Sequence, residues 1–381
     1  MNRNAVATVI LATLLIVSLV GAAGVGASTT AESAKTTTSN ESYAGTYLAF
    51  EASGNAVTDY TVDGETLFSS VAVDSQSEVD GGADASIDLG AVVDISGAGL
   101  SITAQSQTTT QIDADSGASL SAHDTERGHL VVSAGDESQV VEAKLDGNAQ
   151  ASAEGDNRVV VESDTRNGVF LVVGDGDVTV NEQGDVVASL ERESTLVFRS
   201  YAEGERDDQA KEDEQRIADG SAAAEVYVDV RDGETVADTV SYGEETAVEA
   251  RQESEQHIEV VVDRAISEGA IVITTVEEEA VGTLENLEVR VDGEAAVEAS
   301  SQSELESAIG GEESAYMVSQ HAESETKATV YVAFNHFSER TASIGAGDDG
   351  GADSTDDGLP GFGALAALLA LGAGVGVRLR Q

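Results

Sequence analysis

The chain has 381 residues, and its 71 acidic and 19 basic residues give a formal net charge of −52. The lack of a basic patch that could neutralise phosphates argues against a nucleic-acid partner. The absence of cysteine excludes disulfide bonds, thiolate metal ligands and a cysteine nucleophile. Because the acidic residues are interleaved with Val, Ile and Leu, the pattern predicts a folded protein that works in concentrated salt, where counterions screen its charge.

The N-terminal segment predicts export. Arg3 precedes an apolar run, Ala5–Val20, and Val25-Gly26-Ala27 then offers short side chains at the positions that a signal peptidase reads. Residues 1–27 are therefore predicted to be a secretory signal that signal peptidase cleaves after Ala27. A retained N-terminal anchor is the alternative.

The next segment, 28–42, is rich in Ser, Thr and Ala and is predicted to be a flexible leader. It contains the only Asn-x-Ser/Thr sequon of the sequence, Asn40-Glu41-Ser42. In an exported protein this motif makes Asn40 a candidate glycosylation site.

The body of the chain predicts a mainly β fold. Val226, Val228 and Val230 alternate with Tyr227 and Asp229, and this period of two predicts a strand with one buried and one solvated face. The same alternation recurs where Val330, Val332 and Phe334 alternate with Tyr331 and Ala333. We predict two β-sandwich-like domains, 43–202 and 225–344, and the second is expected to contain one short helix.

Asp-Gly dipeptides recur between the predicted strands, at Asp63-Gly64, Asp232-Gly233 and Asp292-Gly293. Two-residue hairpin turns of the primed type need positive φ angles, which Asp and Gly tolerate. Each pair therefore predicts a tight hairpin. Residues 79–157 consist mainly of small residues with single alternating apolar ones, a composition that suits a closely packed sandwich or a stacked solenoid. Because the residues of this region show no fixed repeat period, we favour the sandwich over the solenoid.

Two stretches predict helices. Residues 203–224 are dense in charge, with Glu212 and Arg216 at i,i+4 spacing, and Ile217 is their only sizeable apolar residue. We interpret them as a solvated, charged helical connector between the two domains. The second helix is predicted from a capping box, Ser303-x-x-Glu306, and from the Gly310-Gly311 pair that would end it.

No residue pattern predicts a catalytic, cofactor or metal site. His123 and His129 flank a predicted turn, and we expect their imidazoles at the surface. Asp113-x-Asp115-x-Gly117 and Asp175-Gly176-Asp177 are expected to be turns, although such acidic turns could also offer oxygens to Ca²⁺ or Mg²⁺.

The C-terminal segment has three parts. An acidic spacer, 345–358, precedes Leu359-Pro360-Gly361-Phe362, and an apolar run follows that ends before Arg378 and Arg380. The arrangement resembles the PGF-CTERM sorting signal of haloarchaeal surface proteins, which archaeosortase enzymes recognise. The resemblance implies that 359–381 is cleaved and replaced by lipid, with Pro360, Gly361 and Phe362 as the recognised core. A retained transmembrane helix is the alternative, since the apolar run would just span a bilayer core of about 30 Å.

Together these features predict an exported, acidic, non-enzymatic protein of the cell envelope, held at the outer face of the cytoplasmic membrane in a structural or adhesive role. An anchored protein that binds a solute, ion or polymer is the alternative function. The expected partners are the membrane, a signal peptidase, an archaeosortase-like enzyme and other envelope proteins, and no cofactor is expected.

Overall fold

The structure is a computed structural model that describes residues 41–79, 88–243, 245–254, 256–320, 326–337 and 339–347. The predicted signal, Asn40, most of the leader and the whole Pro360-containing tail lie outside the described residues. No helix within the described ranges is long and apolar enough to cross a membrane.

The described residues are mainly β, as predicted. In chain order the strands are β1 (Glu41–Ala44), β2 (Leu48–Ser53), β3 (Ala56–Val62), β4 (Glu65–Ser75), β5 (Leu100–Gln105), β6 (Thr109–Ala114), β7 (Ser119–His123), β8 (His129–Ser133), β9 (Gln139–Leu145), β10 (Gln150–Ala153), β11 (Arg158–Glu162), β12 (Arg166–Val173), β13 (Gly176–Val180), β14 (Val186–Leu190), β15 (Thr195–Ala202), β16 (Ala222–Arg231), β17 (Glu234–Ser241), β18 (Thr246–Ser254), β19 (His257–Arg264), β20 (Glu268–Glu277), β21 (Leu287–Val291), β22 (Glu294–Ala295), β23 (Val297–Glu298), β24 (Ala315–Gln320), β25 (Lys327–His336) and β26 (Arg340–Ala346). The helices are α1 (Gln76–Val79), α2 (Asp208–Ala218), α3 (Glu278–Val281) and α4 (Gln302–Ser307), and Leu89–Ala91 forms one 3₁₀ turn.

The strands form four sheets. Sheet I has the order β1-β2-β3-β4-β9-β14-β13, and sheet II has the order β10-β11-β12-β15-β8-β7-β6-β5. Sheet III has the order β17-β16-β20-β25-β24-β23, and sheet IV has the order β18-β19-β26-β21-β22. Nearly all neighbouring strands are antiparallel; β16 with β20 and β23 with β24 are parallel. Among the described residues, the strands before α2 pair only with each other, and so do those after it.

Three apolar cores place the sheets in the order I, II, III, IV. The first core lies between sheets I and II and includes tilted and T-shaped ring contacts among Tyr60, Phe68, Phe170 and Phe198. The second core lies between sheets III and IV. The third joins sheet II to sheet III through residues such as Leu171 and Tyr331. The strands of 79–157 enter sheets I and II as antiparallel pairs, which supports the sandwich interpretation of that region.

The Asp-Gly hairpins form as predicted. Each pair has positive φ at both residues, with 49° and 80° at Asp63 and Gly64 and 53° and 80° at Asp232 and Gly233. The pair Asp292-Gly293 has 53° and 83°. In each hairpin the flanking residues are cross-strand partners, as Arg231 and Glu234 are. Positive φ at both central residues is the geometry of a type I′ turn.

The prediction of one solvated face for strands β16 and β25 was wrong. Tyr227 and Asp229 are 7% and 5% exposed, and Tyr331 and Ala333 are 1% and 0% exposed. Their sheet is covered on both sides, because sheet IV packs on one face and sheet II packs on the other. The alternation therefore separates two buried faces of sheet III, an apolar face toward sheet IV and a mixed face toward sheet II.

The interpretation of 203–224 as a solvated connector was also wrong. The helix is shorter, Asp208–Ala218, and it buries Ile217 and Ala210 in the core between sheets II and III. Its buried charges are paired: Glu214 accepts two hydrogen bonds of 2.8 Å from Arg206, and Arg216 Nη1 donates to Asp213 at 3.0 Å. Glu212 and Arg216 do lie 3.7 Å apart as predicted. Ion pairing, which composition does not reveal, allows this charged helix to be buried.

The short helix α4 forms, but its cap lies two residues earlier than predicted. Ser301 is the N-cap and accepts from the backbone N–H of Glu304, whose carboxylate in turn accepts from Ser300. The predicted box residue Glu306 instead lies 3.4 Å from Arg216 of α2. Gly310, with φ of 71°, follows the helix, in line with the expected end.

A segment without regular strands, residues 88–99, crosses the outer face of sheet I. Backbone N–H groups of Asp94 and Ile95 donate to the carboxylate of Glu142 at 2.9 and 3.0 Å, and Ala98 N–H donates to Val73. Glu142 is only 1% exposed, although it lies on the face of sheet I that points away from the first core. Two backbone donors satisfy this buried carboxylate.

Candidate functional site

In the part of the chain that the structure describes, buried titratable groups gather where sheet II meets sheet III. We call this region the junction, defined by the third apolar core and by the ion pairs that cross it. At its centre Glu225 of β16 meets His129, the first residue of β8, with Nε2 to Oε2 at 2.9 Å. Both side chains are almost completely buried, and the two residues belong to different sheets.

Glu225 has several partners. Arg199 of β15 places Nη1 3.0 Å from Oε1, and the hydroxyl of Tyr227 donates to Oε2 at 2.9 Å. Burial alone would raise the pKa of Glu225, but the charge of Arg199 and the hydrogen bond from His129 hold that pKa well below its ordinary value. The carboxylate is therefore charged at neutral pH and is neutralised by a guanidinium from the facing sheet.

His129 is held in one neutral tautomer. Its Nδ1 lies 2.9 Å from the Thr125 hydroxyl, which can donate to it, while Nε2–H donates to Glu225. Burial lowers the pKa of His129 from 6.5 to about 4, despite the opposing effect of Glu225. The imidazole is consequently an uncharged hydrogen-bond bridge at neutral pH.

A second histidine crosses the junction nearby. His123, the last residue of β7, places Nδ1 3.1 Å from Oδ2 of Asp238 in β17, and Thr109 donates to the other carboxylate oxygen at 2.7 Å. His123 and His129 do flank a turn, as predicted. The expectation that they are surface imidazoles was wrong, since they are 5% and 0% exposed.

A third contact joins three sheets through one carboxylate. Asp124, fully buried in the turn between β7 and β8, accepts from the backbone N–H groups of Thr46, Tyr47 and Leu48 at 2.7 to 2.8 Å. These groups belong to the loop between β1 and β2 and the start of β2. From sheet III, Arg231 donates to the same carboxylate at 2.8 Å and to the Asp124 carbonyl at 2.6 Å. Asp124 therefore joins sheets I, II and III.

Gly45 leaves the room that this carboxylate needs. A Cβ at position 45 would overlap the carboxyl group of Asp124, whereas a Cβ at Gly147 would meet nothing within 4 Å. We expect Gly45→Ala to lower the free energy of unfolding by about 1–3 kcal/mol, because either the loop or Asp124 must shift. Urea denaturation at constant molar salt measures this loss, and Gly147→Ala is the matched control. Equal stability of the two variants would contradict the prediction.

Lys327, one of only four lysines in the sequence, is surrounded by acids at the edge of the junction. Its ammonium pairs with Glu126 of the β7–β8 turn and lies 3.3 Å from Glu277 and 3.6 Å from Asp229. Burial would lower the pKa of Lys327, but these three carboxylates raise it well above its ordinary value. The lysine stays charged and links sheet II to sheet III.

The acidic turns named from the sequence do not converge with these residues. Asp113 and Asp115 are exposed in the hairpin between β6 and β7, and Asp175 and Asp177 are exposed around the turn between β12 and β13. Within the described ranges, no group of three or more His, Asp or Glu residues could hold a metal ion.

A surface depression of about 380 Å³ opens at the rim of the junction. Its charged lining residues are Asp175, Glu193, Asp219, Glu245 and Arg264. Ligand pockets are mostly lined by apolar and aromatic side chains, and this lining is instead acidic and rich in glycine.

The candidate residues of the two terminal segments all lie outside the described residues. They are Ala27, Asn40, Pro360, Gly361, Phe362, Arg378 and Arg380.

The sequence pattern did not predict the junction residues as a site. One available signal was the scarcity of basic residues, since several of the few that the chain has, such as Arg199, Arg231 and Lys327, lie at the junction.

The fold and the junction define a mainly β protein made of paired sheets whose two halves are held together by buried ion pairs. No known protein family and no curated protein matches the sequence. Among solved structures, a mutant of a glycoside hydrolase family 81 enzyme from Clostridium thermocellum is similar over 78% of this chain and 34% of its own, with 9% identity and a TM-score of 0.31. The chain thus spans about a third of that enzyme's length, and so low a TM-score carries no argument about activity.

Proposed function

We propose that the chain is an exported structural protein of the cell envelope, held at the outer face of the membrane by its C-terminal segment. The observation that carries this proposal is the order of the last segment, in which an acidic spacer, Pro360-Gly361-Phe362, an apolar run and Arg378 with Arg380 follow one another. The N-terminal apolar run that ends at Ala27 supports export.

The described fold supports a structural role. Each pair of sheets has its own apolar core, and the third core with its ion pairs joins the pairs into one stack. The chain enters this stack at β1 in sheet I and leaves it at β26 in sheet IV, and these are the two outermost sheets. If the protein is anchored through the residues that follow β26, sheet IV leads into the anchor. Sheet I then lies on the opposite side of the stack.

The high negative charge supports an environment of concentrated salt. At about 1 M salt the screening length is only about 3 Å, so exposed carboxylates on such a stack no longer repel each other over long distances. The proposed location and the composition are therefore mutually consistent.

The test is the intact mass of the protein extracted from membranes of its native cells. We expect a chain that begins near Ser28, lacks the residues after the Pro360-Gly361-Phe362 core and carries a lipid adduct. Replacing Pro360 and Gly361 by Ala should leave membrane insertion intact but yield a larger species that retains Gln381. Proline gives a fixed φ and no backbone donor, and glycine lets another backbone approach closely, so both suit an enzyme-recognition turn.

Leu368→Val is the matched control, because it changes the apolar run and leaves the turn intact. It should mature like the wild type. A wild-type mass that includes Gln381 without a lipid adduct would show a retained transmembrane helix and would refute the sorting signal. Recovery of the protein in the soluble cell fraction would refute the anchored location as well.

A further inference from the structure

The two halves of the chain meet through side chains and not through strand pairing. Among the described residues, no strand of sheets I and II pairs with a strand of sheets III and IV. Each half keeps a separate apolar core when the junction is disregarded. Loosening of the junction can therefore be distinguished from unfolding of either half.

His129 is surrounded by charged and titratable groups from several strands. Glu225 and Tyr227 face it from β16, with the ring of Tyr227 centred 5.3 Å away. Arg199 approaches from β15, where it is bound to the same carboxylate. His123 of β7 and Asp238 of β17 lie nearby, and the hydroxyl of Tyr60 in β3 donates to the backbone carbonyl of His129 at 2.9 Å.

Protonated His129 would not gain a free carboxylate as an ion-pair partner, because both nearby carboxylates already have partners. Glu225 is already matched by Arg199, and Asp238 is bound by His123 and Thr109. The imidazolium would also present a second N–H to the Thr125 hydroxyl, which donates to Nδ1 in the neutral tautomer. The added positive charge would therefore lie, fully buried, beside a guanidinium.

We propose that the junction is a proton-sensitive lock in which His129 is the sensor, so that mild acid loosens the contact between sheets II and III before either half unfolds.

The sign of the effect follows from the pKa of His129, which is lowered from 6.5 to about 4 in the closed junction. Between these two values the opened state binds a proton that the closed state does not bind, so the closed junction loses stability as pH falls from 6.5 toward 4. Above pH 6.5 the contribution is fully present. The pKa of Glu225 is lowered, so that its pairing begins to fail only below the ordinary range of a glutamate.

Two carboxyl groups at the junction act in the opposite direction, because burial raises the pKa of Asp213 and also the pKa of Asp229. Asp213 of α2 is hydrogen-bonded by Tyr331, and burial raises its pKa from 3.8 to about 6. Its protonation in the closed state favours closure as pH falls from 6 toward 3.8. The variant Asp213→Asn removes this opposing contribution, and the acid transition should then be sharper.

The experiment measures the distance between spin labels on the full chain at constant molar salt. The sequence contains no cysteine, so Ser69→Cys in sheet I and Ser254→Cys in sheet IV give one labelled pair at exposed positions. Far-UV circular dichroism of the same samples reports the sheets. We expect the distance distribution to broaden and lengthen with a midpoint between pH 6.5 and 4, while the dichroism stays constant.

Two variants test whether protonation of His129 causes the change in distance. His129→Gln, which cannot take up the proton, should abolish it, and His336→Gln, at the exposed end of β25, should leave it unchanged. A distance that stays constant until the dichroism is lost would overturn the proposal, as would an unchanged transition in His129→Gln. Should that variant not fold, an NMR titration of the wild-type imidazole decides: protonation of His129 together with the distance change supports the lock, and a neutral His129 throughout that change refutes it.

Discussion

Replacing Asp124 by Ala is expected to lower the free energy of unfolding by about 3–5 kcal/mol, the range seen when one partner of a buried ion pair is removed. The substitution removes the closer of two carboxylates that pair with Arg231, at 2.8 Å against 3.5 Å for Asp229, and leaves the backbone N–H groups that faced Asp124 without an acceptor. Buried donors without partners each add a desolvation cost. Because this carboxylate contacts sheets I, II and III, the substitution should weaken both the junction and the packing of sheet I on sheet II.

Urea denaturation at constant molar salt measures this effect, and Asp115→Ala is the matched control. Asp115 is exposed in the hairpin between β6 and β7, so its loss should change stability by less than about 0.5 kcal/mol. Asp124→Asn keeps the size and one acceptor oxygen but removes the charge, and it should fall between the two. A loss for Asp124→Ala no larger than that of the control would mean that the three-sheet contact contributes little.

The features that were predicted from the sequence are those that depend on neighbouring residues. A hairpin turn needs positive φ at two adjacent positions, and an Asp-Gly pair supplies them, so Asp63-Gly64 and Asp232-Gly233 could be recognised without knowledge of the rest of the fold. The helix α4 was likewise located, although its cap lies at Ser301, because several Ser and Glu residues in that stretch have capping-box spacing.

The junction could not be predicted, because its partners are distant in sequence. His129 and Glu225 are 96 residues apart, and Asp124 and Arg231 are 107 residues apart. Period-two alternation tells which side chains share a face but not what covers that face, so Tyr227 was assigned to solvent. In so acidic a chain, moreover, nothing local distinguishes Glu225 from the many carboxylates that remain exposed.

The second large expected effect is the dependence of the fold on salt concentration. We expect the fold to be stable at about 1 M KCl and to be lost at about 0.1 M, a change of at least about 5 kcal/mol, comparable to the whole stability of a typical domain. Arg199, Arg231 and Lys327 are used inside the junction, where they pair with buried carboxylates and do not shield the outer faces. When the screening length grows from about 3 Å to about 10 Å, exposed acids on neighbouring strands begin to repel one another.

Far-UV circular dichroism during a stepwise reduction of KCl measures the transition. Replacing the exposed residues Glu51, Glu162 and Glu249 together by Gln should shift its midpoint to lower salt, and replacing the same three by Asp, which keeps the charge, should not. Sucrose at matched osmolarity also separates the causes, because it favours burial of surface but does not screen charge. If sucrose preserves the fold at about 0.1 M KCl as well as added KCl does, repulsion between surface carboxylates is not what limits stability.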